Sequence, residues 1–323
     1  MHTDIKVGLS CNNACIHCIM APVQEMMLAE GCNLDESLDA VKGKIRVAAG
    51  NGYKQVVLTG GEVTLRDDFV DLVAYAVSLG LRVTVQTNGR RLSRQSVLDR
   101  LKNIENTQVE FVIAYHSDNA VVHDRITRRK GSHAQTMSAI KLLKVLDFEI
   151  SGKIVLSLAN YERLEDTLVS LEELGVHDVI VAFPHAEEFS PERFAQVVPT
   201  YTMISESLHE ALQRARSLKM QVLCETIPFC SMRKEDWHAN LDIFHSLQKV
   251  ERLKPVIAMP GREDLIDWNF MRGKIKSKGH QCTSCLLDRL CEGPWQEYIE
   301  HFGFAEFSPI EDTDSIENFI MNL

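Results

Sequence analysis

The chain has 323 residues, of which 45% are hydrophobic and 25% are charged, and its formal net charge is −10. This length is enough for one large domain and a smaller one, and no apolar stretch approaches the roughly 18 residues that a membrane span requires. The net negative charge makes nucleic acid an unexpected partner, because a protein that binds a phosphate backbone usually has a basic surface. The first residues, "MHTDIKVGLS", have neither the basic start nor the long apolar segment of a signal peptide. We therefore expect a cytoplasmic protein without a membrane partner.

Short β-rich runs alternate with amphipathic helical patterns from residue 5 to about residue 228. The predicted strands are "IKVGLS", "QVVLTG", "RVTVQT", "QVEFVIAY", "EISGKIVLS" and "DVIVAF", and one more strand-like run, "QVLCETIPF", follows a long helical pattern. Repeated strand–helix units predict an α/β fold with a parallel sheet and right-handed crossovers. Six units are too few for a closed eight-stranded barrel, so we expect a curved, open version. The pattern then changes, and we place a domain boundary near residue 220, between a core of residues 1–220 and a Cys-rich domain of residues 221–323.

The chain contains nine cysteines, which is many for a cytosolic protein, where disulfides are rare. They occur in two groups near the two ends of the chain. Such clustering favours metal binding over disulfide bonding. The first group is Cys11, Cys15, Cys18 and Cys32, and the second is Cys224, Cys230, Cys282, Cys285 and Cys291.

Three polar motifs follow the first three predicted strands. "CNNACIHC" comes after the first strand, "TGGE" ends the second and "TNG" ends the third. In parallel α/β folds the carboxyl ends of the strands lie on one rim, where chemistry collects. Three thiolates on one loop can hold three corners of an iron–sulfur cube and leave one iron open to a ligand. A zinc site made of the same three cysteines and His17 is the alternative, although His17 directly precedes Cys18.

Cys-x3-Cys-x2-Cys after strand one, with Gly-Gly-Glu after strand two, resembles the radical S-adenosylmethionine (SAM) superfamily. The resemblance covers about residues 4 to 220 and implies a partial (β/α)6 TIM-like barrel. It implies that Cys11, Cys15 and Cys18 bind a [4Fe–4S] cluster whose open iron is chelated by SAM. One electron, from a flavodoxin- or ferredoxin-type reductant, would cleave SAM to a 5′-deoxyadenosyl radical that abstracts a substrate hydrogen.

The remaining rim residues receive roles from the same resemblance. Gly60 and Gly61 allow close approach of the backbone to a ligand. Glu62 offers a carboxylate to the SAM amino group. Thr87 and Asn88 are expected near the adenosine, although an ordinary strand-ending turn explains them equally well.

The segment "AYHSDNAVVHDRITRRKGS" resembles members of the superfamily that carry extra clusters. It offers Arg128 for the SAM carboxylate, with Arg125 as second choice. A Ser common in the fourth strand of that subgroup is Ala114 here, so part of this contact stays open.

The second cysteine group, Cys282-x2-Cys285-x5-Cys291, resembles the start of the SPASM extension. The next cysteine of that pattern is replaced by Trp295, so a shortened twitch domain with one auxiliary [4Fe–4S] cluster fits better. We assign Cys230 as its fourth ligand, with Cys224 as the rival. Three protein ligands with one open iron, or a structural zinc site with four cysteine ligands, are the alternatives.

We expect a radical SAM enzyme that abstracts a C–H hydrogen from a small polar metabolite, such as a sugar, an aminocyclitol or an amino-acid derivative. Oxidation, epimerisation or rearrangement would follow. The cluster loop begins at residue 11, which leaves no room before it for a leader-binding domain and favours a metabolite over a peptide. A maturase that modifies a ribosomal peptide or protein is the alternative. A non-catalytic, metal-stabilised binding or electron-carrier protein is an alternative of another class. The residues assign no catalytic side chain, although Cys32 or Cys224 could donate hydrogen if they are not simply buried.

Overall fold

The computed structural model describes residues 2–243, 256–261 and 265–321. Nine described strands form one sheet in the order β7-β6-β5-β4-β3-β2-β1-β8-β9. Neighbours from β7 to β8 pair in parallel, and β8 and β9 pair antiparallel. The strands are β1 His2–Lys6, β2 Gln55–Thr59, β3 Arg82–Thr87, β4 Val109–Ala114, β5 Glu149–Val155, β6 Asp178–Ala182, β7 Gln221–Glu225, β8 Val256–Ala258 and β9 Leu265–Asp267.

Helices follow most of the strands, as the alternating pattern predicts. Side-chain oxygens cap several of them, for example Ser37 at the second helix and Thr200 at the ninth. The helices are α1 Ala21–Ala29, α2 Leu38–Gly50, α3 Phe69–Ser78, α4 Gln95–Leu101, α5 Ala120–Thr127, α6 Ser132–Val145, α7 Leu164–Glu173, α8 Pro191–Val197, α9 Tyr201–Ser217, α10 Trp268–Ile275, α11 Gln296–Phe302 and α12 Thr313–Met321. In the parts of the chain that the structure describes, no helix is long and apolar enough to cross a membrane.

The main core lies between the outer face of the sheet and the helices. Alternate residues of several strands enter it, as Ile5 of the first strand and Val7 just after it do, and both are at most 2% exposed. The residues between them point to the inner face, which is only partly buried and carries charge. The α/β class and the open, parallel sheet of a partial TIM barrel are therefore confirmed.

The sheet continues past the boundary predicted near residue 220. Strand β7 begins at Gln221 and extends one edge, whereas β8 pairs with β1 on the other side. Residues after 220 thus contribute three strands to the same sheet as residues 2–182. The division of the chain into domains at residue 220 stays a prediction.

Candidate active site

The first cysteine loop, Cys11–Cys18, lies between β1 and α1 and is held by backbone contacts from distant elements. Ala14 N donates to Thr127 O at 3.0 Å, and Ile16 N donates to Ile126 O at 2.9 Å. These bonds fix the loop to the end of α5.

The three thiols of this loop lie close together in a half-buried position. Burial raises the pKa of Cys11 to about 11 and that of Cys15 to about 12, and neighbouring thiols add to the rise. Asn13 N donates to Cys11 Sγ at 3.4 Å. Buried thiols that crowd one another fit a metal centre, since a bound cation replaces their protons.

Gly60 and Gly61 pack against the backbone of the cysteine loop and the residues before it. A Cβ atom on Gly60 would overlap the carbonyl oxygen of Gly8, and one on Gly61 would overlap the carbonyls of Leu9 and Ser10. Gly61 N donates to Gly8 O at 2.9 Å, and Glu62 N donates to Ser10 O at 2.7 Å. The close approach that the sequence predicts is thus made to the protein's own backbone, which brings the second motif against the first.

The Glu62 carboxylate is 4% exposed and joins the ends of β2 and β3. Its Oε1 accepts from Thr64 N at 3.0 Å and from the hydroxyls of Thr64 and Thr87, each at 2.5 Å. Its Oε2 accepts only one hydrogen bond among the described residues, from Asn88 N at 2.7 Å. This oxygen can accept one more donor.

Thr87 and Asn88 are buried, and their side chains are used within the protein. Asn88 Nδ2 donates to Asn12 Oδ1 at 2.7 Å, which ties the third strand end to the cysteine loop. Thr136 Oγ1 donates to Asn88 O at 2.8 Å. The structure therefore brings the three predicted motifs together on one rim.

Arg128 is exposed at the end of α5, in a left-handed conformation with φ of 51°. Its positive charge lowers the pKa of Arg193, after the larger effect of burial, so the two guanidinium groups lie near each other. Arg193 was not predicted from sequence. It donates from Nε to Ile16 O at 3.1 Å and from Nη2 to Cys18 O at 3.0 Å. Because an arginine on a short amphipathic helix usually faces solvent, no local pattern pointed to this contact.

A histidine pair lies under the cysteine loop. The rings of His17 and His116 are 4.6 Å apart, and ligand atoms of Cys15, His17 and His116 all lie within 4.8 Å of one another. Burial lowers the pKa of His17 to about 4, and its Nδ1 has no partner among the described residues. Neutral imidazoles can bind zinc, so the mixed Cys–His site stays an alternative to be decided by metal analysis.

The second cysteine group surrounds a cavity of about 470 Å³, counting the space that opens to solvent. Its walls include four cysteine residues, Cys230, Cys282, Cys285 and Cys291. Backbone N–H groups point at two of these sulfurs: Gly293 N donates to Cys291 Sγ at 3.4 Å and Ile310 N to Cys285 Sγ at 3.5 Å. This donor set fits an iron–sulfur cluster or a zinc ion.

The two candidates for the fourth ligand differ in position. Cys230 lines the cavity, and the thiols of Cys285 and Cys282 add to the effect of burial, which raises its pKa to about 11. Cys224 is fully buried within β7, and burial raises its pKa strongly. Since alternate residues of a strand face opposite sides, Cys224 points into the helix-side core, away from the cavity.

A charged inner face of the sheet was also missed. Lys153 Nζ lies 2.9 Å from Glu225 Oε2, and the Lys276 ammonium lies 3.7 Å from the centroid of the Trp295 ring. Burial lowers the pKa of Lys276 to about 8. The sequence "TDIKV" indicates this charged face, because Asp4 and Lys6 alternate with buried residues. A parallel strand that is covered on both faces is normally apolar throughout.

The chain resembles known proteins in sequence. The family model described as "Radical SAM superfamily" matches residues 5–171. The chain is 23% identical over 245 residues to the AdoMet-dependent heme synthase of Methanosarcina barkeri, covering 74% of this chain and 66% of that protein. It is 28% identical over 177 residues to the antilisterial bacteriocin subtilosin biosynthesis protein AlbA of Bacillus subtilis, covering 54% of this chain and 37% of AlbA. The matched region thus spans at most about two thirds of these relatives.

Among solved structures, Streptococcus suis SuiB bound to S-adenosylmethionine superposes with a TM-score of 0.64 at 13% identity, covering 96% of this chain and 76% of SuiB. SuiB bound to the precursor peptide SuiA gives the same TM-score at 14% identity, covering 96% and 74%. At this identity the likeness supports the fold. It extends over both the sheet and the cysteine-rich tail.

Proposed function

The chain belongs to the radical SAM superfamily, and on this premise we propose that it is a SAM-dependent maturase that abstracts a hydrogen atom from a ribosomal peptide. The sequence alone favoured a small metabolite. The similarity to AlbA, whose name refers to bacteriocin biosynthesis, and the superposition with SuiB, solved with a precursor peptide, support the peptide alternative instead. The observation that carries the proposal is the convergence of the cysteine loop, Gly60–Glu62 and Thr87–Asn88 on one rim.

Each residue of the site then has a specific task. The [4Fe–4S] cluster and SAM supply, when bound, the electron and the sulfonium whose cleavage yields a 5′-deoxyadenosyl radical. Cys11, Cys15 and Cys18 would hold the cluster. Glu62 Oε2, with one acceptor position left, would receive the amino group of SAM. Arg128, whose guanidinium has no hydrogen-bond partner among the described residues, would pair with its carboxylate.

The remaining contacts keep this arrangement rigid. Asn88 fixes the cysteine loop to the third strand. Arg193, on α8, holds the loop by donating hydrogen bonds to two of its backbone carbonyls. Cys230, Cys282, Cys285 and Cys291 would hold a second cluster beside the sheet. The chain's own contribution is therefore placement and exclusion of water around a reactive intermediate.

The test is anaerobic reconstitution with iron and sulfide, followed by iron counting and a SAM-cleavage assay with dithionite. We expect about eight irons per chain and formation of 5′-deoxyadenosine. Replacing Cys11, Cys15 and Cys18 together by Ala should leave about four irons and abolish cleavage, while Cys32→Ala, at an exposed cysteine, should change neither. Zinc in place of iron, with no SAM cleavage, would contradict the proposal and support a metal-stabilised scaffold.

A small-molecule substrate is the second candidate, because the match to the heme synthase covers the larger share of this chain. The two candidates are separated by deuterium transfer. Deuterated peptides encoded beside the gene, and deuterated small metabolites, are each incubated with enzyme and SAM. Deuterium in 5′-deoxyadenosine from a peptide supports a maturase, whereas label from a metabolite alone supports the second candidate.

A further inference from the structure

The carboxyl end of β1 presents a lysine to the inner face of the sheet. Ile5 and Val7 are buried on the helix side, so the alternation of the strand directs Lys6 to the inner side. The thiol of Cys18 influences the pKa of Lys6, which places this ammonium on the side of the cysteine loop. Lys6 is therefore the last inner-face residue of β1 before the cysteine loop.

The Lys6 ammonium has no hydrogen bond or ion pair within residues 2–243, 256–261 and 265–321. The charged groups that face it are few. Burial lowers the pKa of Lys6 and Lys153 lowers it further, while Asp4 and Cys18 raise it. Lys153 is itself paired with Glu225 at 2.9 Å, and Asp4, whose pKa is raised by burial, lies 3.7 Å from His2 Nε2. This cation has no partner among the described residues, and an anionic group of a ligand could supply one.

A second donor lies on the same inner face, two strands away. Lys6 is in register with Thr59, and Thr59 Oγ1 donates to Gln86 Oε1 at 2.8 Å. Val85 is fully buried on the helix side, so Gln86 points inward, as Lys6 does. With Oε1 taken by Thr59, the Gln86 NH2 group has no hydrogen-bond partner among the described residues and is left to donate. An ammonium and an amide NH2 together match the two oxygens of a carboxylate.

We propose that Lys6 and Gln86 form a carboxylate-binding subsite for the substrate, so that the enzyme selects substrates with an acidic group near the reacting carbon. This inference rests on the proposed function. The carboxylate can come from an acidic side chain of a peptide or from a small carboxylic acid. In both cases the group would be anchored next to the cysteine loop, which orients a neighbouring C–H bond.

The test uses the reconstituted full-length protein with SAM bound and three probes. These are acetyl-Gly-Glu-Gly-amide, its Gln counterpart acetyl-Gly-Gln-Gly-amide, and glutarate, with affinities measured by calorimetry. We expect the Glu tripeptide or glutarate to bind at least about tenfold more tightly than the Gln tripeptide. Preference for the Glu tripeptide indicates a peptide source, and binding of glutarate alone indicates a small acid.

Variants identify the residues responsible. Lys6→Met should reduce the preference for the carboxylate to within about twofold, Lys6→Arg should retain most of it, and Gln86→Leu should weaken it. Lys141→Met, at an exposed lysine of α6, is the matched control and should leave the preference unchanged. Circular dichroism and thermal unfolding check that each variant is folded.

Reductive SAM cleavage without substrate is measured in parallel, so that two failures can be told apart. If wild-type protein does not cleave SAM, the proposed function is wrong. If it cleaves SAM but binds the Glu and Gln probes equally, and does not bind glutarate, the carboxylate subsite is wrong. If Lys6→Met instead loses affinity for SAM, the lysine serves the cosubstrate, and the subsite proposal is overturned.

Discussion

Asn88 donates its backbone N–H to Glu62 Oε2 at 2.7 Å, and this bond joins the ends of two neighbouring strands. The other oxygen of the same carboxylate is occupied by Thr64 and Thr87. Glu62 therefore has two tasks. It holds the rim together, and under the proposed function its remaining acceptor position receives the amino group of SAM.

Glu62→Gln is expected to disturb both tasks. One acceptor oxygen becomes an NH2 group, which places a donor against a donor in a buried position. We expect a loss of about 1–3 kcal/mol in the free energy of unfolding and at least tenfold weaker SAM binding by calorimetry. Glu110→Gln is the control, because Glu110 also joins strands, accepting from Ser151 and Thr84, but stands away from the rim. SAM binding equal to wild type in Glu62→Gln contradicts the assignment.

Gly61→Ala is expected to displace the cysteine loop. The added methyl group would overlap the carbonyl oxygens of Leu9 and Ser10, so the backbone must move. We expect reconstituted protein to fall from about eight irons to about four, because only the first site is affected.

Gly43→Ala provides the comparison for this effect. A Cβ at Gly43, in the middle of α2, meets no atom within 4 Å. The Gly43→Ala variant should gain about 0.5–1 kcal/mol in the free energy of unfolding and keep its full iron content. Normal iron content in Gly61→Ala would show that the loop tolerates the shift.

Cys230→Ser and Cys224→Ser should separate the two candidate ligands of the second site. Cys230 lines the cavity, so its loss should lower the iron content by up to about four per chain and change the visible spectrum. Cys224 is buried in the helix-side core, so its hydroxyl replacement should lower stability and leave the iron content unchanged. The reverse pattern rules out Cys230 as the ligand.

Lys276 is expected to titrate near neutral pH. Burial lowers its pKa from 10.5 to about 8, so the ammonium is charged below about pH 8 and becomes neutral above it. As the pH rises through this value, the contact between the cation and the Trp295 ring is lost.

Lysine-selective 13C NMR of the oxidised holoprotein can follow this change. The signal that titrates near pH 8 should be missing in Lys276→Met and present in Lys141→Met. A midpoint above pH 10 for the Lys276 signal contradicts the expected effect of burial.

Much of the sheet could be predicted from local sequence, because each strand and each helix carries its own pattern. Gly52, Gly80 and Gly175 each have positive φ values just past a helix, where glycine commonly ends helices. Strands β8 and β9 were not predicted. They have three residues each, and β8 depends on pairing with β1, more than 250 positions away in the sequence.

The site was predictable where it depends on spacing and not where it depends on long-range contact. The cysteine loop, Gly60–Glu62 and Thr87–Asn88 could be found because each motif directly follows a strand. Arg193 reaches carbonyls that lie 177 and 175 positions earlier in the chain, which no local pattern records. The inward direction of the Lys6 side chain could be predicted, because charged and apolar residues alternate along its own strand.

The pairing of β1 with β8 sets an order of events during synthesis. Strand β1 can pair with β2 soon after residue 59 leaves the ribosome, but its other edge waits for Val256–Ala258. At ordinary translation rates this interval is roughly 10–40 s. During that time the nascent chain exposes an open strand edge directly before its first three cysteines, which is the interval in which this edge is open to pairing with another chain.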